Sequence, residues 1–119
     1  MKTLSYDQLK KMIDDNQNFL LVDVLPKDSF EKAHISDAVN IPLSETDFVN
    51  QVEQAAGNKN RKVVVYCASS ECPASHNAAE KLDEAGFKDV SAYEGGIREW
   101  LEKSGPSGKS PEVRSSLYP

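Results

Sequence analysis

Long hydrophobic runs are missing from this chain. No apolar stretch approaches the roughly 20 residues that span a bilayer, so a membrane partner is not expected. The opening segment, MKTLSYDQLKKMIDD, lacks the apolar core of a signal peptide, and the expected location is the cytoplasm. Basic charge is scarce: 14 Lys and Arg stand against 19 Asp and Glu, for a formal charge of −5. Nucleic acid would call for a basic face, so it is excluded from the expected partners too. Cysteine is nearly absent. Cys67 and Cys72 are too few for a disulfide scaffold, and in a reducing compartment such residues serve chemistry or nothing. There are no internal repeats.

What is present suits one soluble domain. The 119 residues suffice for a real core, with 39% hydrophobic and 28% charged residues. Ser5 and Gln8 form a capping box ahead of a helix whose Tyr6, Leu9, Met12 and Ile13 share a face, ended by Asn16 to Asn18. Phe19 to Val24 reads as a strand carrying an acid, Asp23, and Pro26 breaks it. Asp28 to Ala33 reads as a short helix capped by Asp28, and Val39 to Ile41 as a brief strand stopped by Pro42. Ser44 is the expected cap of a helix bearing Phe48, Val49, Val52 and Ala56, closed by Gly57. Val90 to Tyr93 is a last strand. Gly95 and Gly96 make a turn, and Ile97, Trp100 and Leu101 mark the inner face of a final helix. Strands alternating with helices predict an α/β domain with a mainly parallel sheet. After Ser104 the composition shifts to Ser, Pro and Gly, which predicts a domain over residues 1–105 and an extended or mobile tail over 106–119. Leu117 and Tyr118 could pin that tail to the body.

The most informative stretch is KVVVYCASSECPASHNAAEKL, Lys62 to Leu82. A β-branched run, Val63 to Val65 with Tyr66, suits a strand covered on both faces. Cys67 follows at its carboxyl end, where open parallel sheets place their ligands. Pro73 fits the first turn of the next helix, Ala78, Ala79, Leu82 and Ala85 supply its apolar stripe, and Gly86 its stop. A thiol facing a helix N-terminus is expected to have a lowered pKa.

Three blocks resemble the rhodanese-like single-domain sulfurtransferases: LVDVLPKDSFEKAHISDAVNIP (Leu21 to Pro42), VVVYCASSECPASHNAAEKLDEAGF (Val63 to Phe87) and VSAYEGGIREWLEKSGP (Val90 to Pro106). The resemblance implies a central five-stranded parallel sheet flanked by helices, with Cys67 as catalytic nucleophile. It implies that Cys67 takes sulfane sulfur from a small donor such as thiosulfate, polysulfide or a persulfide, and passes it to a thiol, cyanide or a protein acceptor by covalent catalysis. It implies no cofactor. The loop Ala68, Ser69, Ser70, Glu71, Cys72, Pro73, Ala74 and Ser75 would cradle the anionic outer sulfur with its N–H groups, to which Pro73 adds none.

The chain departs from the family pattern. Leu25 stands where arginine is usual, and Ala33 and Asp37 where glycines are expected near His34. The loop ASSECPAS has no basic residue and no glycine, carries Glu71, and is about two residues longer than the common sulfurtransferase loop. Related phosphatases close this loop with an arginine that clamps phosphate. Cys72 stands about there, so phosphatase activity is not expected. Cys72 reads either as a redox partner of Cys67 or as a small loop residue. Cys67, Cys72 and His76 lack a fourth ligand and match no zinc spacing, so no metal is expected. His76 reads as a solvated helix residue, His34 as a structural hydrogen-bonder, Asp23 as a buried acid holding backbone N–H groups, and Trp100 as core. The alternative to a sulfurtransferase is a non-catalytic rhodanese-fold binding or redox-sensing module using Cys67 and Cys72.

Overall fold

Hydrophobic residues alternate between two sides along each central strand, and that alternation builds two cores on one sheet. The computed structural model describes residues 2–104 and 113–114. The elements are β1 (Lys2–Leu4), α1 (Tyr6–Asp14), β2 (Leu20–Asp23), α2 (Lys27–Lys32), β3 (His34–Ile35), β4 (Val39–Asn40), α3 (Phe48–Ala56), β5 (Val63–Tyr66), α4 (Ala74–Glu84), β6 (Val90–Tyr93), α5 (Gly96–Ser104) and β7 (Val113–Arg114). The sheet order is β1-β6-β5-β2-β4, and each neighbouring pair runs parallel. The expected five-stranded α/β architecture is therefore observed.

Successive side chains on a strand point to opposite faces. Leu20, Val22, Val63, Val65 and Ala92 accordingly face one way, against Phe48 and Val52 of α3 and Ala78, Ala79 and Leu82 of α4. Leu21, Val64, Tyr66 and Tyr93 face the other way, against Leu9 and Met12 of α1 and Trp100 of α5. Tyr6 lies tilted against Trp100 at a centroid distance of 5.0 Å, and Tyr93 meets it edge to face at 6.1 Å. Central strands buried on both faces need no polar alternation, which is why VVVY reads as a continuous apolar run.

The Ser5–Gln8 capping box forms as read, with Ser5 N–H donating to Gln8 Oε1 at 2.8 Å and Gln8 N–H to Ser5 Oγ at 3.2 Å. Other caps differ. Asp28 does not cap α2. Pro26 holds the N-cap position and Asp28 lies in the first turn. Ser44 does not cap α3, because tight turns from Pro42 to Glu45 and from Glu45 to Phe48 delay the helix until Phe48, with Asp47 at the cap. Ile97 and Leu101 are only partly buried, leaving Trp100 as the inner anchor of α5. Two strand pairings were not foreseen. β1 joins the sheet edge beside β6, and β3 pairs antiparallel with β7. Both are short and carry no periodic signal. Leu117 and Tyr118 lie outside the described residues.

Asp23, at the carboxyl end of β2, is fully buried. Its Oδ1 accepts from Leu25 N–H at 2.9 Å, while Oδ2 has no hydrogen-bond partner among the described residues. The effective penalty for burying a carboxylate is several kcal/mol, and a hydrogen bond to a charged group returns about 1.5–3 kcal/mol. Burial therefore wins and raises the Asp23 pKa, against the opposing pull of Leu25 N–H, the Tyr66 hydroxyl and His34. His34 is structural as read. Its Nδ1–H donates to Phe30 O at 2.8 Å and its ring stacks on Phe30 at 3.8 Å.

A carboxyl whose pKa is raised by folding stabilises the fold below the ordinary carboxylate range, and that contribution is lost as pH rises through the folded value. Asp23→Asn keeps the acceptor for Leu25 N–H and cannot ionise. The variant should therefore gain stability relative to the native protein as pH rises from about 4 to about 7. Urea denaturation at both pH values checks this, and a gap that moves the other way would show that Asp23 is held as a stabilised anion.

Candidate functional site

The carboxyl end of β5 delivers Cys67 into the crevice between the starts of two helices. After Tyr66 the chain leaves the sheet, turns through Ala68 to Pro73, and enters α4 at Ala74. Cys72 N–H donates to Ser69 O at 3.1 Å and Glu71 N–H to Ser69 Oγ at 3.3 Å, so Ser69 closes the turn with both its carbonyl and its hydroxyl. Pro73 takes the N-cap position of α4, one residue before the helix proper.

The second helix start was read as following the Gly95–Gly96 turn, but its hydrogen bonds to the thiol loop were not foreseen. Ile97 N–H donates to Cys67 O and Arg98 N–H to Ala68 O, each at 2.9 Å. The first turn of a helix has N–H groups with no partner inside the helix, and here α5 spends two of them on the thiol loop. Gly96 makes the approach possible. Its φ is +67°, and a Cβ there would lie 2.5 Å from Cys67 O, 2.6 Å from the Ala68 carbonyl carbon and 2.7 Å from Ser69 N. The Gly95–Gly96 pair was legible as a turn, whereas its contact with a loop some thirty residues earlier in the chain was not.

Cys67 is fully buried and Cys72 partly exposed, and both are free thiols. The Cys67 thiol donates to Cys72 O at 3.4 Å. Burial pushes its pKa up, and the hydrogen bond with the Cys72 thiol raises it further, while the Ser75 hydroxyl and N–H act the other way. The expectation of a lowered Cys67 pKa is thereby corrected: in this arrangement desolvation outweighs the helix N-terminus. The lowered pKa belongs to Cys72. Its burial is the largest influence and opposes ionisation, but hydrogen bonds from Cys67 and from the N–H groups of Ala74 and Ala68 together overcome it. Ser75 Oγ is buried with no conventional hydrogen-bond partner among the described residues, and it bears on the Cys67 sulfur.

The anticipated loop is thus brought together around Cys67, though not as an open cradle. The N–H groups of Ala68 and Ala74 face the Cys72 sulfur, Ser75 N–H faces Cys67, and those of Glu71 and Cys72 are engaged by Ser69. Ser70 and Glu71 are exposed on the rim, as is Pro73 at the helix entrance. Beside the rim lies a cleft of about 370 Å³ lined by Ser69, Ser70, Glu71, Arg98, Glu99 and Glu102. Arg98 is paired with Glu102 at 3.8 Å, and Glu99 accepts from Tyr93 Oη at 2.7 Å. His76 is not simply solvated: its Nε2 lies 3.1 Å from Glu94 Oε2. Among the described residues, no group of three or more His, Cys, Asp and Glu side chains could hold a metal ion. Among those residues no helix is long and apolar enough to cross a membrane.

Alkylation at about pH 7 should modify Cys72 well before Cys67, since the thiolate is the reactive species and only Cys72 is both exposed and acidified. Gly96→Ala should reverse part of that order by displacing the loop, and should destabilise the fold by about 1–3 kcal/mol. Gly57→Ala provides the comparison. Gly57 has φ +95° but nothing within 4 Å of an added Cβ, so strain alone should leave the alkylation order unchanged. Equal effects from both substitutions would remove the Gly96 contact as the loop's support.

Residues 5–103 match the Rhodanese-like domain. The "Thiosulfate sulfurtransferase GlpE" of Shewanella oneidensis is 35% identical over 101 residues, covering 85% of this chain and 93% of that protein. The "Putative sulfur carrier protein YrkF" of Bacillus subtilis is 32% identical over 103 residues, covering 85% of this chain and 51% of that protein. The chain spans about half of the length of the first two curated relatives it matches and a quarter of the third. Among solved structures, the BH2092 protein of Bacillus halodurans superposes with a TM-score of 0.81 at 24% identity, covering 98% of this chain and 78% of that one. On the matched domain and the 35% identical relative, the chain belongs to the rhodanese-like family.

Proposed function

We propose that the chain is a sulfurtransferase that carries sulfane sulfur as a Cys67 persulfide. The observation that supports this most is the position of Cys67, at the end of β5 with the Ser75 N–H and hydroxyl turned toward its sulfur. A persulfide or thiolate there would supply the buried Ser75 Oγ with the acceptor it lacks. The relative named thiosulfate sulfurtransferase, which this chain matches over nearly its whole length, supports the same reading.

Catalysis in this reading has two halves. The Ser69–Pro73 turn first moves off the sulfur, because Cys67 is otherwise enclosed by the Cys72 carbonyl. The Cys67 thiolate then attacks a sulfane sulfur, and the donor's remaining fragment leaves with the bonding electrons. In the second half the acceptor attacks the outer sulfur and Cys67 departs as thiolate. Burial raises the thiol's pKa while the turn covers it, so uncovering the sulfur also makes the thiolate easier to form. The acceptor is a thiol, cyanide or a protein. Loading the reduced protein with inorganic polysulfide and taking an intact mass should show a gain of one sulfur, absent in Cys67→Ala. Uptake that is unchanged in Cys67→Ala and lost in Cys72→Ala would move the nucleophile to Cys72.

The burial of Cys67 and its contact with Cys72 also favour a second reading, a redox-sensing module without turnover. Absence of sulfur gain in the same experiment would favour it.

Donor choice follows from rim charge. Thiosulfate is a compact dianion, and Glu71 stands on the loop, while across the cleft Glu102 is paired with Arg98 and Glu99 with Lys103. A like charge within about 4 Å at a protein surface costs up to a few kcal/mol, reduced by water and salt, and each 1.4 kcal/mol is about tenfold in binding. A donor of lower charge, such as a monoanionic persulfide, should therefore have the higher kcat/KM. Glu71→Arg should raise the thiosulfate value by roughly tenfold at low salt while changing that of an uncharged organic trisulfide little. A thiosulfate preference indifferent to Glu71→Ala and Glu71→Arg would show that rim charge does not select the donor.

A further inference from the structure

The residue that covers Cys67 carries the chain's second thiol. Cys67 is fully buried, and its Sγ–H is directed at Cys72 O, 3.4 Å away. The turn that carries Cys72 is fixed in that place by its N–H bond to Ser69 O. The Cys72 thiol is close enough for each thiol to shift the other's ionisation, and the N–H groups of Ala68 and Ala74 favour its thiolate. Those donors stabilise a thiolate at Cys72. Across the pair, the buried Ser75 Oγ bears on the Cys67 sulfur without a conventional partner among the described residues. The site therefore holds one enclosed sulfur, suited to keep a modification away from solvent, and one partly exposed sulfur, suited to attack it.

We propose that Cys72 is a resolving thiol, which cleaves a Cys67 persulfide and releases the transferred sulfur as hydrosulfide. This rests on the persulfide reading above and adds a second outcome to it. The Cys72 thiolate attacks the inner sulfur, Sγ of Cys67. The bond between inner and outer sulfur breaks as the Cys67–Cys72 bond forms, and the outer sulfur leaves as HS⁻ with the bonding pair. The two cysteines together lose two electrons, and the sulfane sulfur gains them. A dithiol reductant then returns the disulfide to two thiols, taking the oxidation onto itself.

The direction of attack has a physical reason. A thiolate that attacks a disulfide-like bond expels the weaker base more readily. Attack on the outer sulfur would expel the Cys67 thiolate, which burial makes a strong base. Attack on the inner sulfur expels hydrosulfide, which is smaller, readily hydrated and weaker as a base. An external thiol that reaches only the outer sulfur would carry sulfur onward, whereas the internal thiol beside Sγ ends the transfer.

The test is a single turnover without oxygen. The reduced native protein, Cys72→Ala and Cys72→Ser are each loaded with inorganic polysulfide, freed of excess reagent, and followed by intact mass and a sulfide assay. In the native protein the one-sulfur gain should decay to a mass two hydrogens below the reduced chain. One sulfide should appear per chain, and peptide mapping should join Cys67 to Cys72. Both variants should keep the added sulfur and lose the sulfide release. Native persulfide that persists as in the variants, or sulfide release undiminished in them, overturns the resolving role and leaves Cys67 as a sulfur carrier. No sulfur gain in any of the three proteins overturns the persulfide reading and this inference with it.

Discussion

The docking of the α5 N-terminus onto the loop after β5 is the constraint on which the site depends. Ile97 and Arg98 N–H groups hold the carbonyls of Cys67 and Ala68, and the bare Cα of Gly96 allows the contact. A loop that leaves the carboxyl end of a strand would otherwise have those carbonyls free to reorient. Fixing two consecutive carbonyls fixes the plane of the peptide between them, and with it the direction in which the Cys67 side chain starts. Trp100, one turn further along α5, anchors the helix in the core beneath α1. Packing far from the thiol thus sets the thiol's geometry.

Within that frame two influences compete for the sulfurs. Desolvation favours the neutral thiol and acts most decisively on Cys67. Backbone donors at the start of α4 favour the thiolate, and they act together with the Cys67 thiol on Cys72. One loop therefore divides the two properties of a reactive cysteine: enclosure at one residue, ease of ionisation at the other. A loop with a glycine and a basic residue would relax this division, by flexing away from Cys67 and by adding a charge that favours both thiolates. This chain has neither in ASSECPAS. Its rim carries Glu71, and the neighbouring cleft adds Glu99 and Glu102 against Arg98. The rim and the neighbouring cleft therefore carry more acidic than basic side chains.

Much of the architecture was legible from residue pattern. The VVVY and LLVD runs fall in adjacent central strands, Ser5 and Gln8 form their capping box, and Gly57 and Gly86 end their helices with φ of +95° and +101°. These features are local: a run of apolar residues, a side chain three positions from its partner, a glycine where only positive φ closes a turn. The misread caps at Asp28 and Ser44 were also local guesses, overridden by Pro26 and by the consecutive turns before Phe48. β1 and β3 escaped detection because two or three residues carry no period, and their pairing partners lie far along the chain.

The sequence by itself determined the class of fold, the order of its elements and the placing of a cysteine at the carboxyl end of a buried strand. Those follow from hydrophobic periodicity and from residues with special backbone requirements. Only the tertiary structure decided which cysteine is enclosed and which is acidified, that Arg98 is offset by Glu102, that His76 lies against Glu94, and that Gly96 rests on the thiol loop. Each of these depends on distances between segments remote in the chain, and on how much water their approach excludes. Residue order does not encode either quantity locally, and the ionisation of a thiol is set by both.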